Sequence, residues 1–525
     1  MKLDKSKLLA SMPKSYWIDS INDMFPDYLP IKEDAKSDVT IVGGGIAGIT
    51  AAYLLGKEGL SVIVLEADRI ARGTTGHTTA KITSQHNLIY NKLVKQLGAE
   101  LAKQYADANE TAIKEIQKLT EALNIDCDFI SQPAFIYTES EDYITPLQEE
   151  LNTVLNLGIK ADYADAIPFP FTVKGALRFD NQAQFHPLKY ILSLAQYFVK
   201  GGGRIFEKTR AVRLEQGDQY TILTEQGKKV YSDVLIIASH YPFYNKQGMY
   251  FSRIYQQRSY VAAIKINEKY PGGMYINAEE PVHSLRSQAT SDGELVFIGG
   301  AQHKAGQGGN TMKNYEELLD FAEPYFTITS VPYHWSTQDC MTVDGLPYVG
   351  NLTPDTPNLY ITTGFGKWGM TNSMASAMLL RDLIVKGDSA WKDVYNPSRH
   401  TKAASVINFV VENFNVAEKL IGGKIQPLAK NEDIELSRGE GKVVELNGKR
   451  AGIYMDDAGN RHIVNTTCTH MGCELNWNPA ERSWDCPCHG SRFSYDGDVI
   501  EGPAVKNLKM DEDVNTIGKL LTEDF

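Results

Sequence analysis

The rhythm of apolar and polar positions changes several times along the chain, and each change marks a new element. Asp38-Val-Thr-Ile-Val-Gly43 is a short, nearly continuous apolar run closed by glycine, which predicts a buried strand. Ile46 to Lys57 carries small and apolar residues at helical spacing, and Ser61-Val-Ile-Val-Leu-Glu66 returns to a strand pattern. Together they predict a βαβ unit. Helical periodicity recurs over Tyr90 to Leu123, Pro187 to Lys200 and Met370 to Val385, while Arg204 to Phe206, Ala211 to Leu214, Val234 to Ala238 and Tyr360 to Thr363 read as strands. Between Pro242 and Tyr333 the pattern is one of short strands and Gly or Pro turns, as expected of a domain inserted into a nucleotide-binding domain. After Glu432 come closely spaced short strands with many Gly and Asp turns, which predicts a small all-β domain.

The chain therefore divides into an irregular extension over residues 1–36, an α/β domain with an insertion over 37–390, a connection over 391–430 and the all-β domain over 431–525. Pro13, Pro26 and Pro30 break any long helix in the extension, which is expected on the surface of the body. A chain of 525 residues exceeds one domain of roughly 100 to 200, in keeping with this division.

Composition narrows the partners. The formal net charge is -12, with acidic and basic residues mixed and no Lys/Arg block to track a phosphate backbone, so nucleic acid is not expected. Met1 to Asp19 lacks an apolar core followed by a small-residue cleavage site. Runs such as Val234 to Ala238 and Val406 to Val411 fall far short of the roughly 20 residues of a membrane span. A soluble, cytoplasmic chain with no transmembrane segment is the expectation.

Two clusters carry chemistry. Gly43-Gly44-Gly45-Ile46-Ala47-Gly48 fits G-x-G-x-x-G between a strand and a helix. Such glycines permit a tight turn and close backbone approach to a pyrophosphate, and the helix N-terminus faces its charge. Glu66 ends the next strand, where a carboxylate can accept from ribose hydroxyls. This fingerprint serves FAD and NAD alike. Near the C-terminus, Cys468-Thr-His470-Met-Gly-Cys473 and Cys486-Pro-Cys488-His489-Gly-Ser491 provide two Cys/His pairs. Two thiolates on one iron and two imidazoles on the other is the mixed-ligand [2Fe-2S] arrangement. Tetrahedral zinc is the alternative. It is disfavoured because each half places Cys before His, carries one extra Cys and has glycine nearby. Cys127 and Cys340 lie far from this cluster and read as ordinary buried thiols.

On the glycine fingerprint, together with Asp344-Gly-Leu-Pro-Tyr-Val-Gly350 and Gly364-Phe-Gly-Lys-Trp-Gly-Met-Thr371, residues 15 to 390 resemble the FAD-dependent D-amino-acid oxidase superfamily, in particular its gamma-glutamylputrescine oxidoreductase branch. The resemblance implies an α/β FAD-binding doubly wound domain with an inserted α+β substrate domain. It also implies FAD as cofactor and an amine or amino-acid donor. Gly43, Gly45, Gly48 and Glu66 are the expected dinucleotide contacts. Arg72, Thr74, Thr75 and His77 are expected to cover the pyrophosphate and reach the ring, and Asp344, Gly364, Gly366, Gly369, Met370 and Thr371 to face the flavin edge. A single fingerprint disfavours NAD. His77 stands where some relatives attach flavin covalently, but Gly76 replaces their aromatic residue, so a loop or contact role is expected. Tyr260, Arg286, His303, Trp335 and Trp368 are the candidate pocket residues, with Arg286 able to clamp a carboxylate.

Residues 430 to 525 resemble the Rieske proteins of cytochrome bc complexes. By that resemblance Cys468 and Cys486 ligate one iron, His470 and His489 the other, and Cys473 pairs with Cys488 in a disulfide. Gly502-Pro503 resembles the proline loop over the cluster, and Phe493 replaces the family's tyrosine two positions after Ser491. The whole predicts an FAD-dependent dehydrogenase that passes electrons through the cluster to an unidentified acceptor, with exposed His ligands as the exit. An oxygen-using oxidase with a structural or sensing cluster is the second reading, and a non-catalytic electron-transfer module the third.

Overall fold

Strand Ala35–Val42 lies between Val62–Leu65 and Lys229–Ile237 in an eight-stranded sheet, and all three run parallel. Such strands are covered on both faces, which is why Val62 to Leu65 form an unbroken, fully buried apolar run. The computed structural model describes residues 4–170, 172–244, 247–399, 403–425, 429–430, 435–446 and 449–508. The ends of the expected extension and terminal domain, 1–3 and 509–525, lie outside these residues. Arg204–Phe206 and Leu359–Thr363 add further parallel strands to the sheet. Helices Ile46–Lys57, Pro187–Lys200 and Gly369–Lys386 pack together beside it. This is the doubly wound domain.

A second eight-stranded sheet, largely antiparallel, forms the inserted domain. Its strands are not the short ones expected. Ile254–Ile266, Gly293–Lys304 and Ile328–Thr342 are long and pair side by side, and helix Met312–Ala322, absent from the sequence reading, packs on them. Register shifts at Arg258/Tyr260 and Ala263/Lys265 break the alternation that would have revealed their length. Ala134–Thr138, Ala161–Ala164 and Gly175–Phe179 join the same sheet from earlier in the chain.

Other local readings also shift. The helix expected over Tyr90 to Leu123 is two, Tyr90–Leu97 and Ala99–Ala122, divided at Gly98 with φ +93°. The extension is not superficial: Trp17 is fully buried, its indole N–H donating to Thr78 O at 2.6 Å, and Tyr16 packs against Phe297. A large aromatic pair gains more by filling the gap beside the loop than by lying on a surface.

Helix Ala403–Ile425 spans most of the expected connection. Beyond it two four-stranded sheets form the C-terminal domain, Ala429–Lys430 through Arg461–Asn465 and Asn476–Asn478 through Val499–Glu501. No helix among the described residues is long and apolar enough to cross a membrane.

Candidate functional site

The turn after strand Ala35–Val42 is shaped by what its glycines cannot carry. A Cβ on Gly48 would stand 1.9 Å from Gly43 O, so any side chain there would push the helix off the strand. The helix begins at Ile46, whose amide donates to Thr75 Oγ1 at 3.0 Å. Glu66 accepts from the amides of Gly44 at 2.8 Å and Asp68 at 2.9 Å, while burial pushes its carboxyl upward. Gly43, Gly45 and Glu66 open onto a cavity of about 370 Å³. A tight glycine turn at a helix N-terminus, with a half-buried carboxylate at its edge, suits the pyrophosphate and ribose of FAD.

From this end the cavity runs along Thr74, Thr75 and His77 to Gly364, Gly366, Trp368, Gly369 and Met370. Tyr260 closes it from the second sheet, its hydroxyl 3.0 Å from His303 Nε2. His77 donates from Nδ1 to Gly73 O at 2.9 Å, and burial lowers its pKa.

Other expected contacts sit elsewhere. Gly48 acts behind the turn rather than on the cavity wall. Arg72 turns away, donating to Asn22 Oδ1 and lying over Phe25. Asp344 accepts from Nη2 and Nε of Arg399 at 2.7 and 2.8 Å. Thr371 donates to Thr83 O. Among the pocket candidates, Trp335 donates to His77 O behind the wall, and His303 serves Tyr260. Arg286 is no open clamp. It is 1% exposed, stacked between Trp17 and Phe297, and donates to Ala80 O and Gln288.

The C-terminal Cys/His loops converge. Cys473 and Cys488 form a disulfide, leaving Cys468 and Cys486 as free buried thiols that hydrogen-bond each other. The sulfurs of Cys473, Cys486 and Cys488 lie within 4.8 Å of one another, but the disulfide commits two of them, so no three-thiolate site exists there. The bond from Cys486 draws the Cys468 thiol down to about 7 and leaves Cys486 well above the ordinary range. Backbone amides of His470 and Met471 also point at Cys468, as those of Cys488 and His489 do at Cys486. Rings of His470 and His489 stand 5.1 Å apart at 89°, and the Nδ1 of each is buried without a hydrogen-bond partner. Burial lowers both imidazoles, His489 to about 4, which keeps them neutral. Two adjacent free thiols, with backbone amides aimed at each sulfur, and two unpartnered neutral nitrogens are the donor set a Cys₂His₂ iron pair requires.

The two sites meet. Ile500 to Val505, including Gly502 and Pro503, lines the same cavity as the glycine turn. Gln256 donates to His489 O at 2.9 Å and Gln338 to Gly490 O at 2.7 Å. Gly490 has φ +75°, and a Cβ there would press on Gln256 at 2.9 Å, so the contact depends on glycine. His489 is 3% exposed and its ring lies 6.2 Å from that of Phe251, whereas His470 is half-buried. The expectation of two exposed His ligands is thus corrected: the flavin domain covers one of them.

Residues 38–383 match the family model described as FAD dependent oxidoreductase, and residues 424–512 that of the Rieske [2Fe-2S] domain. The chain belongs to the FAD dependent oxidoreductase family. This family member binds FAD and, through its Rieske domain, a [2Fe-2S] cluster. It is 43% identical over 498 residues to YhfW of Bacillus subtilis (strain 168), named a Rieske 2Fe-2S iron-sulfur protein, across 95% of this chain and 97% of the relative. It is 22% identical over 395 residues to gamma-glutamylputrescine oxidoreductase of Escherichia coli (strain K12), across 73% of this chain and 91% of that one. Glycine oxidase from Geobacillus kaustophilus shares the fold of the FAD dependent oxidoreductase domain at a TM-score of 0.60 and 17% identity, over 70% of this chain and 99% of its own.

Sequence reasoning did not single out Lys81, Gln256, Arg258, Gln338, Asp339 and Glu501. Lys81 closes the hydroxyl-rich segment Arg72 to Lys81, which as a whole is expected to cover the pyrophosphate and reach the ring. The others are polar residues at strand positions that resemble any half-exposed sheet face.

Proposed function

We propose that this FAD-dependent oxidoreductase oxidises an amine or amino-acid-like substrate and passes the electrons, by way of its Rieske cluster, to an acceptor outside the chain. The observation that carries the reading is the common wall: Ile500 to Val505 of the Rieske domain line the cavity that Gly43, Gly45 and Glu66 open onto. Bound there, FAD supplies two-electron oxidation of a carbon bearing an amine, and a [2Fe-2S] cluster supplies one-electron transfer.

The chain's own residues prepare both sites. Gly45, at the N-terminus of helix Ile46–Lys57, would face the pyrophosphate, the Gly43 amide being taken by Leu65 O, and Glu66 would face the ribose. Tyr260 and Trp368 form aromatic walls that exclude water from the reacting end. Cys468 and Cys486 would hold one iron, and His470 and His489 the other. Gln256 and Gln338 fix the His489–Gly490 backbone against the flavin domain. The names of the Escherichia coli relative and of the glycine oxidase neighbour support the amine and amino-acid class.

Anaerobic stopped-flow mixing of holoprotein with a panel of amines and amino acids tests the reading. Flavin bleaching followed by cluster bleaching is the expected result. A cluster that stays oxidised beside reduced flavin would favour the oxygen-using oxidase, and a flavin that no member of the panel bleaches would remove the enzymatic reading.

A further inference from the structure

Three successive carbonyls of the loop along the flavin cavity, those of Gly76, His77 and Thr78, are each held by a buried side chain from elsewhere in the chain. Ser15 Oγ donates to Gly76 O, Trp335 Nε1 to His77 O at 2.8 Å, and Trp17 Nε1 to Thr78 O at 2.6 Å. His77, Thr78 and Thr79 line the cavity, whereas Ser15, Trp17 and Trp335 stand behind its wall. The three carbonyls therefore point away from the flavin side.

A trans peptide unit sets its C=O and the following N–H in opposite directions. Holding the carbonyls of His77 and Thr78 behind the wall thus turns the amides of Thr78 and Thr79 toward the cavity. Neither amide has a protein acceptor among the described residues. Two adjacent N–H groups aimed at one space form a concave donor site for an electron-rich group. The pair lies at the end of the cavity that Tyr260 closes. A Cβ on Gly299 would meet the Thr79 methyl at 3.4 Å, and Gly300, next along the strand, is paired with Tyr260.

The N-terminal extension is anchored so as to keep this arrangement. Its helix Tyr16–Ser20 is tied on one side by the Lys14 amide, which donates to His334 O at 2.7 Å, and on the other by the Tyr333 hydroxyl, which donates to Asp19 Oδ2 at 3.0 Å. Ile18 lies against the loop. A Cβ on Gly76 would come within 3.1 Å of Ile18 Cδ1 and 2.9 Å of Ala71 O, so glycine at that position makes room for the extension.

We infer that Trp17 is a positioning residue for the flavin: its indole N–H, together with that of Trp335, fixes the Thr78 and Thr79 amides as donors to the isoalloxazine edge and thereby raises the flavin's reduction potential. A reduced flavin ring carries more negative charge than an oxidised one, and donors fixed in advance favour the charged form. The inference rests on FAD binding in this cavity and not on the proposed amine oxidation.

Holoprotein is compared with Trp17→Phe, Trp335→Phe and Phe297→Leu. The first two lose an indole N–H. Phe297 packs edge-on against both indoles, at 5.2 Å from Trp17 and 5.5 Å from Trp335, so Phe297→Leu loosens the same packing and leaves both N–H groups in place. Two readouts need no substrate: the flavin midpoint from a redox titration, and the FAD released on dilution, followed by fluorescence. Losing one fixed donor predicts an equilibrium for flavin reduction about 10-fold less favourable in Trp17→Phe and in Trp335→Phe. That is a midpoint lower by about 30 mV for two electrons. FAD release is expected to rise in both, and Phe297→Leu is expected to keep the wild-type midpoint.

An unchanged or raised flavin midpoint in Trp17→Phe overturns the inference. An equal fall in Phe297→Leu also overturns it, because packing rather than the hydrogen bonds would then set the potential. Should Trp17→Phe fail to fold, Trp335→Phe decides by the same criterion.

Discussion

Arg258 and Glu501 meet at 3.4 Å across the boundary between the flavin domain and the Rieske domain. Arg258 belongs to strand Ile254–Ile266 and is fully buried, with Gln338 Oε1 at 2.9 Å and Asp485 at 4.0 Å. Arg492 approaches Glu501 at 3.4 Å and Asp485 at 3.3 Å from the other side. Charges taken out of water in this way are tolerated only when each is paired, so the network specifies one docking geometry.

Arg258→Met leaves Glu501 and Asp485 sharing Arg492 alone. Breaking such a buried pair costs roughly 3 to 5 kcal/mol. A lower urea midpoint is expected, together with slower cluster bleaching after the flavin has been reduced. Unchanged values for both would show that the network does not hold the domains together.

Phe493 is fully buried beside the cluster loops, and Ser491 hydrogen-bonds Cys468 while accepting from the Ala504 amide at 3.0 Å. The phenyl ring supplies no donor where the bc-type proteins have tyrosine. A restored hydrogen bond of about 1 to 1.5 kcal/mol corresponds to about 40 to 60 mV for one electron. Phe493→Tyr is therefore expected to raise the cluster midpoint by that amount in a redox titration followed by EPR.

His77 is tied to Gly73 O and half-buried, and no aromatic residue precedes it. Acid precipitation is expected to release the flavin into the supernatant. Flavin that stays with the pellet in wild type but not in His77→Ala would establish a covalent bond instead.

Glu150 accepts from the amides of Tyr90 and Asn91, both at 2.8 Å, at the start of helix Tyr90–Leu97. Burial raises its pKa from 4.5 to about 7. The folded state thus binds this proton more tightly than the unfolded chain does. Its contribution is fully present below the unfolded value and is lost as pH rises through about 7. Relative to wild type, Glu150→Gln should show a smaller fall in urea midpoint between pH 5 and pH 8. The difference is of order 3 kcal/mol. Parallel pH profiles would exclude the carboxyl as their source.

What the sequence disclosed was local. The βαβ unit and the Cys/His loops each lie within a short stretch whose spacing is the chemistry, and both stand where the pattern put them. Helix Pro187–Lys200 was equally legible, from a run of apolar positions opened by proline. The long strands of the second sheet were hidden by their register shifts. Arg286 was misread because a charged side chain 1% exposed between two aromatic rings looks, in sequence, like any strand arginine. The junction was illegible for a simpler reason: Arg258 and Glu501 are 243 residues apart, and no periodicity links them.

Because Ile500 to Val505 complete the wall around the glycine turn, the flavin chamber is not the property of one fold. Excising the C-terminal unit would leave a vessel with a side missing, admitting water to the flavin and exposing the polar faces of Gln256 and Gln338. Two modules that could have been strung together like beads instead share a partition.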